Sequence, residues 1–92
     1  MQKIRLTIHS AVGLHARPAS LFVKAGAAFK SKISVRNLTT GSGAVDAKSI
    51  LSVLTLGVEK DHQIELTTEG EDETPALESL RELIESDFGG SS

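Results

Sequence analysis

A chain of 92 residues with a net charge of −2 and no cysteine has room for one core and excludes disulfides, thiolate metal sites and thiol nucleophiles together. Three phenylalanines with neither Tyr nor Trp give no stacking platform, and the mild negative charge gives no basic patch, so nucleic-acid binding falls away as a class. No apolar run reaches the length of a membrane span, and Met1 leads into a charged, alternating pattern where a signal peptide would be hydrophobic; a cytoplasmic protein without membrane insertion is the expectation.

From Lys3 to His9 polar and apolar residues alternate, with Ile4, Leu6 and Ile8 on one side, as in a half-buried strand. Ser10 to Leu14 contains Gly13 and reads as a loop. Ala16 to Phe29 shows helical spacing, its stripe being Ala19, Phe22, Val23, Gly26 and Phe29. Pro18 falls in the first turn, where its missing N–H costs little.

Ile33 to Leu38 alternates again, and Thr39 to Gly43 supplies a flexible connection into a third strand at Ala44 to Asp46. Asp46 is a candidate cap for a short helix from Ala47 to about Leu56, with Gly57 as its stop. Ile50, Leu51, Val53 and Leu54 are too many apolar residues for one narrow stripe, so some should face solvent or a partner.

Gln63 to Thr68 is the fourth alternating stretch, sending Ile64 and Leu66 inward, and Glu69-Gly70 turns the chain toward a final helix capped by Asp72, with Pro75 in its opening turns. Its stripe is Ala76, Leu77, Leu80, Leu83 and Ile84; Glu78, Arg81, Glu82 and Glu85 read as a solvated face. The order βαββαβα, with no repeat or linker, predicts an α+β fold with helices on one face of a mainly antiparallel sheet. One domain over 1–88 and a flexible tail over 89–92 are expected. Periodicity carries no information on strand order.

The chemistry concentrates at His15 and Arg17. An imidazole one step before a helix start, with an arginine two steps after it, suits a transient phosphoryl group. Histidine is largely neutral and nucleophilic near pH 7, and a helix N-terminus offers N–H groups and a positive dipole end to an anion. Arg17 sits where the dipole disfavours a cation by a fraction of ~0.3–1 kcal/mol, a placement that asks for an anion. Taken without its neighbours, His15 reads more readily as an ordinary loop or cap residue than as a catalytic one, and the alternative for Arg17 is a solvated side chain. His9 and His62 read as surface residues. No metal spacing links the three histidines, and Gly41-Ser42-Gly43 is a turn lacking the lysine of a phosphate loop. No cofactor, metal or nucleotide is expected.

The run Gly13-Leu14-His15-Ala16-Arg17-Pro18-Ala19-Ser20, followed by Lys48-Ser49-Ile50-Leu51 and Leu56-Gly57, resembles the HPr phosphocarrier proteins of the bacterial phosphoenolpyruvate-dependent sugar phosphotransferase system, over nearly the whole chain. The resemblance implies an open-faced sandwich, four antiparallel strands covered on one face by three helices. It implies that His15 accepts phosphate on Nδ1 from phosphorylated enzyme I and passes it to the IIA unit of a sugar permease, making the chain a carrier more than an enzyme. Arg17 matches the family's neighbouring cation and Ser49 the serine modified by an ATP-dependent HPr kinase. Ser20, Leu21, Lys24, Ile50, Leu51 and Leu54 would form the patch that docks donor and acceptor proteins, if the first two helices lie side by side.

The segment Asn37 to Asp46 is longer than in many relatives, and Ser52 stands where glycine is usual. Lys48-Ser49-Ile50 tilts toward the sugar branch over the nitrogen-related one. The second reading is a regulatory phosphoprotein of a nitrogen-related or carbon-catabolite branch, read out by transcriptional regulators; the third is a small-ligand or interaction domain. A monomer is expected, because its largest exposed patch is needed for partners.

Overall fold

The computed structural model describes residues 1–88, and the tail expected over 89–92 lies outside the described residues. Its elements are β1 (Gln2–Thr7), α1 (Ala16–Ala27), β2 (Lys32–Asn37), β3 (Val45–Asp46), α2 (Ile50–Leu54), β4 (Gln63–Glu69) and α3 (Glu73–Glu85). The strands form one antiparallel sheet in the order β1-β4-β2-β3. This is the four-stranded, three-helix architecture that the sequence led us to expect.

Alternation sorts the sheet into two faces. Ile4, Leu66 and Val35 meet in register across β1, β4 and β2, Leu6 lies opposite Ile64, and Ile33 joins them on the same face. They pack with Phe22, Val53, Leu80 and Ile84 from the helices into the core. On the other face Glu65 lies opposite Arg5 on β1 and Arg36 on β2. Arg36 Nε donates to its carboxylate at 2.9 Å and Arg5 Nε at 3.4 Å. Partial burial raises the Glu65 carboxyl, but the hydrogen bond and charge of Arg36, with the bond from Arg5, outweigh it and hold the group below the usual glutamate value.

Two expected caps are corrected. Asp46 does not cap α2: its Oδ1 accepts from Lys48 N at 2.9 Å and its carbonyl from Ser49 N at 3.2 Å. Ala47 N is still committed to the sheet, donating to Ile33 O at 3.0 Å, so the chain passes through a turn at Ala47 and Lys48 and the helix begins only at Ile50, with Ser49 as N-cap accepting from Ser52 N at 3.4 Å. Asp72 does occupy the N-cap position of α3, but its side chain makes no cap bond. Its carboxylate instead accepts from Lys30 N and Ser31 N, each at 2.8 Å, and from the Ser31 hydroxyl. The Ser31 hydroxyl and the Lys30 N–H keep Asp72 below the usual aspartate value against the opposing effect of burial. A would-be cap thereby ties the turn after α1 to the start of α3.

The connection after β2 is ordered by Asn37, which is fully buried. Its Oδ1 accepts from Thr39 N and Thr40 N at 3.0 and 3.3 Å, and its Nδ2 donates to Leu56 O at 3.2 Å. A buried amide is tolerable only when its polar atoms are matched in this way.

Candidate functional site

The site begins with two loops bonded to each other. Ile8 N donates to His62 O at 2.9 Å, Asp61 N to Ile8 O at 2.7 Å and Leu14 N to Val58 O at 2.9 Å. Leu14 and Val58 are buried between them. Gly13 has φ +63, and a Cβ on it would lie 2.2 Å from Val58 O and 2.7 Å from Glu59 Cα. Both the left-handed backbone and the close approach of the second loop therefore demand glycine.

This scaffold delivers His15 to the N-cap of α1 with an extended backbone, φ −80 and ψ −170, and its ring takes no part in capping. The imidazole stays open to solvent at 58 % exposure, and Nε2 lies 3.5 Å from Glu59 Oε2, itself 59 % exposed. His15 carbonyl accepts from Ala19 N at 2.9 Å, so α1 starts immediately after it. The ring thus stands at the positive end of a helix dipole, with Nδ1 on the side not faced by the carboxylate.

Arg17 is exposed in the same first turn. With Ser10, Val12, Pro18, Leu21, Asp87 and Phe88 it lines a recess of about 50 Å³. Asp87 and Phe88 reach it through left-handed backbone, φ +54 and +56, and Phe88 N is bonded to Leu83 O at 2.8 Å. Asp87 Oδ1 is buried there without a hydrogen-bond partner among the described residues.

Helices α1 and α2 pack against each other, as the expected patch requires. Ser20 and Lys24 are exposed on α1, Leu21 is half-buried, and Ser49 and Ile50 are half-buried at the start of α2. Leu51 is 74 % exposed and Leu54 is also exposed, whereas Val53 enters the core. Two nearby residues escaped the sequence reading: Val12, an exposed apolar side chain in the loop before His15, and Glu59. Val12 carried only a hydrophobic residue in a loop as its signal; Glu59 carried none, because its relation to His15 is made by the fold. His62, expected as a plain surface residue, is half-buried, and its Nδ1 accepts from Glu59 N at 3.1 Å and faces Asn37 Nδ2 at 3.1 Å. Among the described residues no group of three or more His, Cys, Asp or Glu side chains could hold a metal ion, and no helix is long and apolar enough to cross a membrane.

An exposed imidazole at a helix N-terminus, with an arginine in the first turn of that helix, is equipped to form a bond to phosphorus and give it up again. The family described as "PTS HPr component phosphorylation site" matches residues 2–86. The chain is 37% identical over 89 residues to the phosphocarrier protein HPr of Neisseria meningitidis serogroup A, with 97% of each chain covered. It is 42% identical over 83 residues to the multiphosphoryl transfer protein of Haemophilus influenzae, covering 90% of this chain but 17% of that protein. It spans a fifth or less of the length of such multiphosphoryl transfer relatives. The crystal structure of HPr-C-His from Thermoanaerobacter tengcongensis superposes with a TM-score of 0.93 at 40% identity, covering 100% of both chains. By sequence and by fold, the chain belongs to the PTS-HPr family.

Proposed function

We propose that this chain is a cytoplasmic phosphohistidine carrier that takes a phosphoryl group from phosphorylated enzyme I onto His15 Nδ1 and hands it to the IIA component of a sugar permease. The observation that supports this most is the exposed, uncapped imidazole of His15 at the N-terminus of α1. In the forward step the Nδ1 lone pair attacks phosphorus, the Nδ1–P bond forms, and the donor's bond to phosphorus breaks with its electron pair. Arg17 opposes the charge spread over the transferring oxygens. Onward transfer reverses the roles. Phosphate is held only by exposed groups, which suits a carrier that must release it.

Docking is assigned to Val12, Ser20, Leu21, Lys24, Ile50, Leu51 and Leu54, an apolar centre with a polar rim of the kind transient interfaces use. Ser49 is assigned as a regulatory phosphorylation site. As N-cap of α2 it would carry a phosphate that the adjacent N–H groups tolerate, while about −1.5 to −2 charges arrive at the docking surface. The expected consequence is blocked docking with little refolding.

Incubation with enzyme I and phosphoenolpyruvate should add one acid-labile phosphate that His15→Ala abolishes. Equal labelling of His15→Ala would overturn the assignment. Arg17→Ala should keep the fold and slow onward transfer by roughly 10- to 100-fold, at or below the loss typical of removing one preorganised transition-state donor.

A further inference from the structure

We infer that Glu59 is a positioning residue for His15: its carboxylate holds the ring in the Nε2–H tautomer, which places the lone pair on Nδ1. The inference rests on the reading of His15 as phosphoryl acceptor and says which nitrogen is made ready.

A neutral imidazole carries its proton on one nitrogen and its lone pair on the other, and the charge or hydrogen-bonding group facing one nitrogen decides which. An ionised carboxylate only accepts, so the nitrogen facing it is stabilised as N–H. Here that nitrogen is Nε2, 3.5 Å from Glu59 Oε2. Nδ1 takes no cap bond and is left as the nucleophile.

The pairing is built by the fold. Glu59 N donates to His62 Nδ1 at 3.1 Å, and His62 N returns a bond to Glu59 O at 3.1 Å. One residue earlier, Val58 O accepts from Leu14 N, directly before His15. Gly13 lets the Glu59 backbone approach to a distance that any Cβ would forbid. The two side chains therefore spring from backbones fixed side by side, although 44 positions separate His15 from Glu59.

The carboxylate also matches the charge change in transfer. When Nδ1 bonds to phosphorus, Nε2 keeps its proton and the ring gains positive charge, which the carboxylate offsets. On discharge the Nδ1–P electron pair returns to the ring and the charge disappears. Both side chains are more than half exposed, so the contribution is modest, about two- to fivefold, and is screened by salt. A modest contribution leaves the phosphoryl group releasable.

Long-range ¹H–¹⁵N correlation of the His15 ring, recorded where the ring is neutral, tests this in the isolated protein. Glu59→Ala should lower the ratio of Nε2–H to Nδ1–H tautomer about two- to fivefold at low salt. Glu59→Gln, which keeps an acceptor without the charge, should restore part of it, and thermal stability should be unchanged. In transfer from phosphorylated enzyme I, Glu59→Ala should lower kcat by a similar factor with KM held, and 0.5 M KCl should bring variant and wild type together. An unchanged tautomer ratio, or a changed ratio with kcat unaffected, overturns the inference. Absence of any His15 labelling in the wild-type protein overturns the carrier reading instead, and the tautomer ratio still decides the role of Glu59.

Discussion

Replacing Gly13 with alanine would push a methyl group to 2.2 Å from the Val58 carbonyl and hold an L-residue at φ +63. The loop must then separate from its neighbour, carrying both His15 and Glu59 out of place. Gly13→Ala should cost about 1–3 kcal/mol in thermal or denaturant unfolding and slow phosphorylation beyond what stability alone explains. Unchanged unfolding and transfer would show that the two loops are not locked as described. At this scale the sequence was legible where partners are neighbours in the chain: His15, Arg17 and Pro18 lie within one helical turn and their placement at its start could be read directly. Asn37, Glu59 and Asp72 could not be read, because each is defined by a distant group. Asp72 was taken for a local cap on good local grounds, yet its carboxylate serves Ser31, 41 residues away.

Strand β4 runs between β1 and β2 and carries the buried carboxylate of Glu65 between two arginines. Its folded value is depressed, so the stability it contributes is complete above about pH 4.5, the ordinary glutamate value, and is lost as pH falls through the lower folded value. Asp72 acts in the same direction from its ordinary value of 3.8. Unfolding free energy should therefore fall as the solution is acidified below about pH 4.5, and Glu65→Gln should flatten that dependence; an identical acid profile in the variant would contradict the account. On α2, Leu51→Ala should leave stability within about 0.5 kcal/mol because the side chain lies mostly in solvent. It should weaken binding to enzyme I by roughly tenfold, the effect of losing an interface side chain worth more than 1 kcal/mol. Titration calorimetry would measure it, and unchanged affinity would remove Leu51 from the docking surface. The existence of each element was visible in apolar periodicity. The start of α2 was not, because Ala47 is held by a sheet bond to Ile33 that no local pattern announces. The surplus of apolar residues on α2 did announce its exposed leucines.

For the whole molecule, the βαββαβα order and the helix-covered sheet followed from patterning, whereas the order β1-β4-β2-β3 depends on pairings between remote segments, on which periodicity carries no information. That topology sets the loop before α1 against the loop before β4, bringing the imidazole of His15 from one to the carboxylate of Glu59 from the other. The central claim is that this assembly presents Nδ1 of His15 for reversible phosphoryl transfer. It is tested most directly by phosphorylating ¹⁵N-labelled protein with enzyme I and phosphoenolpyruvate, then recording ³¹P and ring ¹⁵N spectra before and after adding a IIA acceptor. The account predicts a single phosphoryl group bonded to Nδ1 of His15 that disappears when the acceptor is added. Phosphate on Nε2, on another residue, or retained in the presence of acceptor would contradict it.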